Sequence, residues 1–320
     1  MSLRHRLTHT TAALSRQALG VALGVGLAFN LLAGAPDAFA QAVVEAPVVQ
    51  PAAGEGPALW AITDGDSTLY LFGTVHVLRP ETAWGSPKVD AAFDASENVI
   101  FEISNPDDQA AVVPLIQQYG VSPEHPLSSI LTPEEIAHLD TAAQSMGATA
   151  AQMDPMRPWL VGLTLSMAPL IKAGYDPQSG VELILKRRAE AAGKPIAGLE
   201  TIDSQVRILA GLSEDTQLAF LRSTLKDFDE ATSELDGLVA AWAIGDMDTI
   251  DRTMVREMRD ESEEIYQALL VRRNTDWADQ IEELLEGSGT TFIAVGSAHL
   301  AGSDSVQALL EARGVTVTRR

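Results

Sequence analysis

The sequence predicts an α/β domain behind an export leader, and three observations carry that expectation. Two β-prone runs near opposite ends of the chain, Leu69-Tyr70-Leu71-Phe72-Gly73-Thr74-Val75-His76 and Thr291-Phe292-Ile293-Ala294-Val295-Gly296-Ser297-Ala298-His299, each finish in Gly-x-x-His. Between them, from about residue 107 to 285, apolar residues recur at three- and four-residue spacing with Pro or Gly at the breaks, which is helical patterning. The first 40 residues carry the charge and hydrophobic order of a signal peptide.

In that leader Arg4, Arg6 and Arg16 precede an almost uncharged run from Ala18 to Gly34, and Ala38-Phe39-Ala40 supplies a small-x-small cleavage site before Gln41. The apolar run is short and Gly-rich, whereas a permanent anchor needs about 20 predominantly apolar residues. Cleavage after Ala40 and export, to the periplasm where the cell has one, are therefore expected, with no stable membrane insertion afterwards. Residues 41–56, rich in Ala, Pro and Val, read as a flexible leader, and residues 57–320 as one domain. The formal net charge of -22 makes nucleic acid a poor partner, and the acids fall largely on helical stretches that solvated faces explain. With no cysteine, disulfides, thiolate metal sites and a Cys nucleophile are excluded.

Taken in order, Ala58–Thr63 and Thr68–Phe72 flank Asp64-Gly65-Asp66-Ser67 and read as a hairpin, so that the first Gly-x-x-His hangs from its second strand. The glycine would permit a close or left-handed turn and place the histidine on a sheet rim. Val89–Ala95 reads as a short amphipathic helix. Asn98–Ile103 reads as a buried strand interrupted by Glu102, whose ionised carboxylate needs a partner or a metal unless it turns to solvent at the strand end. Thr132-Pro133-Glu134-Glu135 is a helix start with a capping box, and His125 and His138 nearby read as surface residues. Trp159–Ile171 is a core or groove-lining helix, too short to cross a membrane. Val181–Ala192 is a helix stopped by Gly193, and the β-like segment after it, from Lys194, ends in a second carboxylate, Glu200. Each half thus offers one Gly-x-x-His and one strand-borne Glu in mirrored order, which suggests a pseudo-twofold site. Ile265–Leu285 is the last long helix, with Tyr266 and Arg273 seven apart on one face and Arg272 at the surface. Ser305–Ala312, Gly314 and Val315–Thr318 read as helix, stop and closing strand.

Leu71-Phe72-Gly73-Thr74-Val75-His76, Phe101-Glu102, Gly198-Leu199-Glu200-Thr201, Arg273-Asn274 and Val295-Gly296-Ser297-Ala298-His299-Leu300-Ala301-Gly302 together resemble the TraB/GumN family, to which the Tiki metalloproteases are related. The likeness runs from Leu59 to Arg319, and its specificity lies in the ordered set, since each piece alone is weak. The resemblance implies a fold like that of the erythromycin esterase and ChaN proteins: a central mixed β-sheet with flanking helices and a helical insertion over about 107–285. It also implies that the paired histidines and a glutamate form a metal-dependent hydrolytic site. Gly180-Val181-Glu182 is similar to a further family position where a carboxylate opens a helix.

Two imidazoles and one or two carboxylates, without thiolate, suit Zn²⁺, Mn²⁺, Co²⁺ or Fe²⁺. His76, His299 and Glu102 are then the expected metal ligands and Glu200 a ligand or general base. Arg273 with Asn274 would steady a carboxylate or a developing oxyanion. A peptide is the expected substrate, or else a small molecule. Rival expectations are metal-free acid–base hydrolysis of an ester by His and Glu, haem capture with an axial histidine, and a non-catalytic scaffold.

Overall fold

Asp64 opens the tightest turn of the sheet: its carboxylate accepts hydrogen bonds from the backbone N–H of Asp66 (3.1 Å) and Ser67 (2.7 Å). Strand β1 (Leu59–Thr63) is thereby folded back on β2 (Ser67–Thr74), pairing from Leu59 with Phe72 to Thr63 with Thr68. This is the predicted hairpin. The computed structural model describes residues 49–228 and 231–320, so the expected signal peptide, its cleavage site and the first half of the expected leader lie outside the described residues. Residues 50–52 of that leader are bonded to the domain, because Gly85 N–H donates to the Gln50 carbonyl and Ala52 N–H to the Gly85 carbonyl, both at 2.8 Å.

Four more strands complete the sheet: β3 (Asn98–Ile103), β4 (Ile196–Glu200), β5 (Gly289–Gly296) and β6 (Val317–Arg319). Their order is β4-β3-β5-β2-β1-β6. The four strands β4, β3, β5 and β2 run parallel, and β1 pairs antiparallel with both β2 and β6. The fold is therefore α/β with a mixed six-stranded sheet, as expected. Strand β5 sits between β3 and β2 and is buried from Thr291 to Gly296, which is why it reads as an unbroken apolar run and not as an alternating one. The Phe292 ring lies tilted against Phe72 of β2, with centroids 5.7 Å apart, and meets Phe93 of the Pro87–Ala95 helix edge-on at 5.4 Å.

Register decides where the motifs end. Gly73 lies opposite Val295, Thr74 opposite Gly296, Phe101 opposite Ala294 and Ile103 opposite Glu200. Both Gly-x-x-His segments and both strand glutamates consequently arrive at the carboxyl ends of neighbouring parallel strands, the edge at which α/β sheets bind ligands. Gly73 makes no left-handed turn. It lies within β2, and a Cβ there would come within 3.2 Å of the Ser297 Cα, so what this glycine allows is the close approach of the two motifs to each other.

The helices follow their predicted signals closely. Thr132 caps the Pro133–Gln144 helix with both arms of the capping box, Glu135 N–H to the Thr132 hydroxyl at 3.2 Å and Thr132 N–H to the Glu135 carboxylate at 2.7 Å. The Pro158–Lys172 helix is core, with Trp159, Leu163 and Leu170 buried, and among the described residues no helix is long and apolar enough to cross a membrane. His125 and His138 are exposed, as expected. The last long helix differs from expectation. It consists of Glu263–Tyr266, a π turn at Gln267–Val271, and Arg272–Leu285. A π turn adds one residue, which rotates everything after it by about 100° relative to a continuous helix. Tyr266 is therefore aligned with Asn274 and not with Arg273: the Tyr266 hydroxyl donates to the Asp304 carboxylate and Asn274 Nδ2 to the Asp304 carbonyl.

The Val181–Ala191 helix enters directly beneath the first histidine, with Val181 N–H donating to the Val75 carbonyl at 3.0 Å. A Cβ on Gly180 would overlap the His76 carbonyl oxygen. Gly180→Ala is thus expected to destabilise the fold by about 1–3 kcal/mol through overpacking. Gly237→Ala, in an exposed helical position with open space around it, should stabilise by about 0.5–1 kcal/mol. Urea unfolding of the two variants checks this pair, and equal midpoints would contradict the close approach at His76.

Candidate functional site

Glu102 does not turn to solvent. It is 3% exposed on β3, and both oxygens are held: Oε1 accepts Gly296 N–H at 2.7 Å, and Oε2 accepts Gln205 Nε2 at 3.1 Å and Arg273 Nη2 at 2.7 Å. The partner that an acid in an apolar strand requires is therefore a guanidinium, a backbone amide and a buried amide side chain. Arg273, the second residue after the π turn, also grips Glu200 at the end of β4, Nε to Oε1 at 2.8 Å and Nη2 to Oε2 at 3.0 Å. Burial would lower the Arg273 pKa, but the charges of Glu102 and Glu200 and their hydrogen bonds outweigh it and hold the pKa above its usual value. Trp277, one helical turn after Arg273, donates its indole N–H to Glu200 Oε1 at 3.0 Å, lies 4.7 Å below the guanidinium and meets the His299 ring at 4.3 Å.

His299 is completely buried in the short turn Ser297–Leu300 that follows β5. Its Nε2 lies 3.1 Å from Arg273 Nη1, and because a guanidinium only donates, Nε2 is the acceptor and Nδ1 carries the proton. Nδ1–H then donates to Asn274 Oδ1 at 2.5 Å, and Asn274 Nδ2 donates to the Asp304 carbonyl at 2.7 Å, which fixes the orientation of the amide. Burial first, then the positive charges of Arg273 and His76, push the His299 pKa well below 6.5, so the ring is neutral. Asn274 thus orients His299 and contacts neither a carboxylate nor open space. The expectation that it steadies a carboxylate or an oxyanion gives way to a positioning role.

His76 lies in the loop two residues past β2. Its Nδ1 meets Glu182 Oε1 at 2.6 Å, and Glu182 also accepts from the Thr74 hydroxyl. Burial pulls the His76 pKa down, but the Glu182 charge and hydrogen bond more than offset it and raise the pKa above 6.5; burial likewise raises Glu182, and His76 brings it back below its usual value. Glu102 and Arg273 also act on the charge of His76, and His76 acts on His299, so the two rings belong to one electrostatic centre.

The structure thus brings His76, Glu102, Glu200, Arg273, Asn274 and His299 together, but not as two mirrored His–Glu halves. His76 is bound to Glu182 and His299 to Asn274, while Glu102 and Glu200 both serve Arg273. Glu102 Oε1 is 3.8 Å from His299 Nε2, beyond hydrogen-bond reach, and among the described residues no three His, Asp or Glu side chains form a preassembled metal cluster. Sequence reasoning placed little weight on Glu182 and missed Gln205 and Trp277. The i, i+4 spacing of Arg273 and Trp277 was a usable signal for the second of these.

In metal-free protein these shifts give the two histidines opposite contributions to the pH dependence of stability. His299, with its folded pKa depressed, is neutral in the native state, so its contribution is present above pH 6.5 and declines as pH falls below it. His76, with its folded pKa raised, contributes fully below 6.5 and loses its contribution as pH rises through the folded value. Stability should pass through a maximum near 6.5, with Glu182 adding a further loss on acidification through its lowered pKa. Urea midpoints from pH 5 to 8 test this: His299→Gln should flatten the acidic limb near neutrality and His76→Gln the alkaline one.

Comparison with known proteins adds the family. A curated relative, the uncharacterized protein YbaP of Escherichia coli (strain K12), is 23% identical over 256 residues, covering 79% of this chain and 92% of the relative. An uncharacterized protein of Treponema pallidum (strain Nichols) is 21% identical over 267 residues, covering 79% of this chain and 80% of its own. No solved structure matches the chain. The family comparison matches residues 58–319, which take in every strand of the sheet and every member of the buried centre, and the chain belongs to the TraB/PrgY/gumN family.

Proposed function

We propose that the protein is an exported, metal-dependent hydrolase, with a peptide bond as the favoured substrate and the buried centre at the strand ends as its active site. The observation that carries this reading is the matched restraint of the two imidazoles. Nδ1 of His76 is held by Glu182 and Nδ1 of His299 by Asn274, which is the outer-shell arrangement that orients histidine for metal binding through Nε2. The donors also fit in kind, two imidazoles beside a carboxylate without thiolate, and His76, His299 and Glu102 would hold the ion. A divalent metal there would act as a Lewis acid, polarising the scissile carbonyl and lowering the pKa of a bound water.

The remaining residues do the orienting and the charge stabilisation. Asn274 keeps the His299 proton on Nδ1. Glu182 keeps a proton on His76 Nδ1 and fixes the plane of the ring. Glu200 has both oxygens on Arg273 and one of them also on Trp277, which makes it the anchor of the arginine more than a free base. Arg273 supplies the positive charge where negative charge develops on a carbonyl oxygen. Its contact with His299 Nε2 also favours a second reading, metal-free hydrolysis, in which the guanidinium alone stabilises the oxyanion and the His76–Glu182 pair transfers the proton.

Elemental analysis of protein purified without chelator, paired with cleavage of a peptide library, separates the two. The metal reading expects about one equivalent of a first-row divalent ion, and activity lost on chelation and regained with Mn²⁺, Co²⁺ or Zn²⁺. His76→Gln and His299→Gln should each lose the ion. Cleavage that survives chelation and His299→Gln but is lost in His76→Gln would support the metal-free route, and cleavage that survives chelation and both variants would overturn both readings. Export is tested apart from the chemistry: the mature chain should begin at or near Gln41, and recovery of the intact Met1 form from the cytoplasm would contradict it.

A further inference from the structure

Two of the three proposed metal donors are already occupied by the same cation. Arg273 Nη1 lies on His299 Nε2 and Arg273 Nη2 on Glu102 Oε2. His299 has one lone-pair nitrogen, because its Nδ1–H is committed to Asn274, and a lone pair that accepts a guanidinium N–H cannot coordinate a metal at the same time. A positive charge in contact with both donors also repels a divalent ion in a buried site, where Coulomb forces are strong.

We infer that Arg273 is the resting occupant of the metal position, so that the ion and the guanidinium compete for His299 and Glu102 and metal enters as Arg273 withdraws towards Glu200. The inference rests on the proposed metal reading and adds a competitor to it. Geometry gives Arg273 somewhere to go. Nε and Nη2 hold Glu200 independently of the His299 contact, and the outer side of this pair opens on a surface groove of about 650 Å³ lined by Glu200, Arg272, Arg273, Asp276 and Trp277. The site therefore exchanges one internal cation for one external cation and does not leave buried carboxylates without charge compensation. If Arg273 served only to hold the strand ends together, its removal would loosen the centre and weaken metal binding.

The test is calorimetric titration of the mature chain, stripped of metal, with MnCl₂ and ZnCl₂. Arg273→Met removes the competing charge and should bind metal at least about tenfold more tightly than wild type. Because that variant leaves two acids without their cation and could fail to fold, Arg273→Lys is measured beside it, with circular dichroism as the folding check. Lysine keeps a charge for Glu102 and Glu200 but lacks the planar fork that also reaches His299, so binding should again be tighter than wild type, by a smaller factor. Equal or weaker binding in the folded variants overturns the inference. Wild type that binds nothing while Arg273→Met binds overturns entry by withdrawal of Arg273 and removes the metal reading of function with it; wild type that binds, with no gain in either folded variant, overturns the inference alone and leaves the metal reading standing.

Discussion

The ion-pair set around Arg273 is the constraint on which the carboxyl end of the sheet depends. Parallel strands β3 and β4 deliver Glu102 and Glu200 to the same edge, and two neighbouring acids at a largely buried strand end need a cation between them. A guanidinium suits this because its planar fork can take Glu200 with Nε and Nη2, Glu102 with Nη2 and His299 with Nη1. Removing one member of such a buried set costs about 3–5 kcal/mol, a large share of the 5–15 kcal/mol that holds an ordinary domain together. The same side chain therefore fixes two strands, one helix and the turn that carries His299.

Backbone irregularities aim these groups. The π turn at Gln267–Val271 sets the rotation of the following helix so that Arg273, Asn274 and Trp277 all face the strand ends while Arg272 stays exposed. A second π turn, Asp251–Val255, lies against the loop after His299, where Gly302 is left-handed and a Cβ would meet the Asp251 carboxylate. Such turns are uncommon in helices and concentrate at functional sites. Here each lies next to the stretch of chain that holds the second histidine, so the helix geometry and the position of His299 are specified together.

The sequence made legible what depends on local pattern. The hairpin at Asp64, the capping box at Thr132 and the stop at Gly193 rest on contacts within a few residues, the two β-runs ending in Gly-x-x-His show in their apolar pattern although they pair with each other across the chain, and the structure has each of them. Glu102 was conspicuous because a charge in an apolar strand demands compensation. What escaped was partnership across distance. Nothing in the sequence says that Glu182 rather than Glu102 or Glu200 takes His76, since that pairing follows from the Val181–Ala191 helix starting against the Val75 carbonyl. The π turn was invisible for a related reason: apolar spacing is read over a whole window, and one inserted residue changes faces without breaking the pattern. Gln205, fully buried and bonded to Glu102, looks from sequence like any polar residue on an amphipathic helix.

Burial and charge together bear on what the centre can do. His76, Glu102, Glu182, Arg273, Asn274 and His299 are all buried, and of this group only Glu200 is partly open, at the groove it shares with Arg272, Asp276 and Trp277. Within the centre three carboxylates face one guanidinium and one imidazole whose pKa is raised. His299 stays neutral and adds no charge. Local charge thus remains on the negative side, in a chain whose formal charge is -22, and any further ligand able to penetrate is favoured if it is cationic or brings a cation. An anionic ligand, by contrast, would be attracted within this centre by Arg273 and by His76. The same arginine that neutralises the strand ends is thus the shared element of the centre, divided between the two acids that hold it and the buried ring of His299.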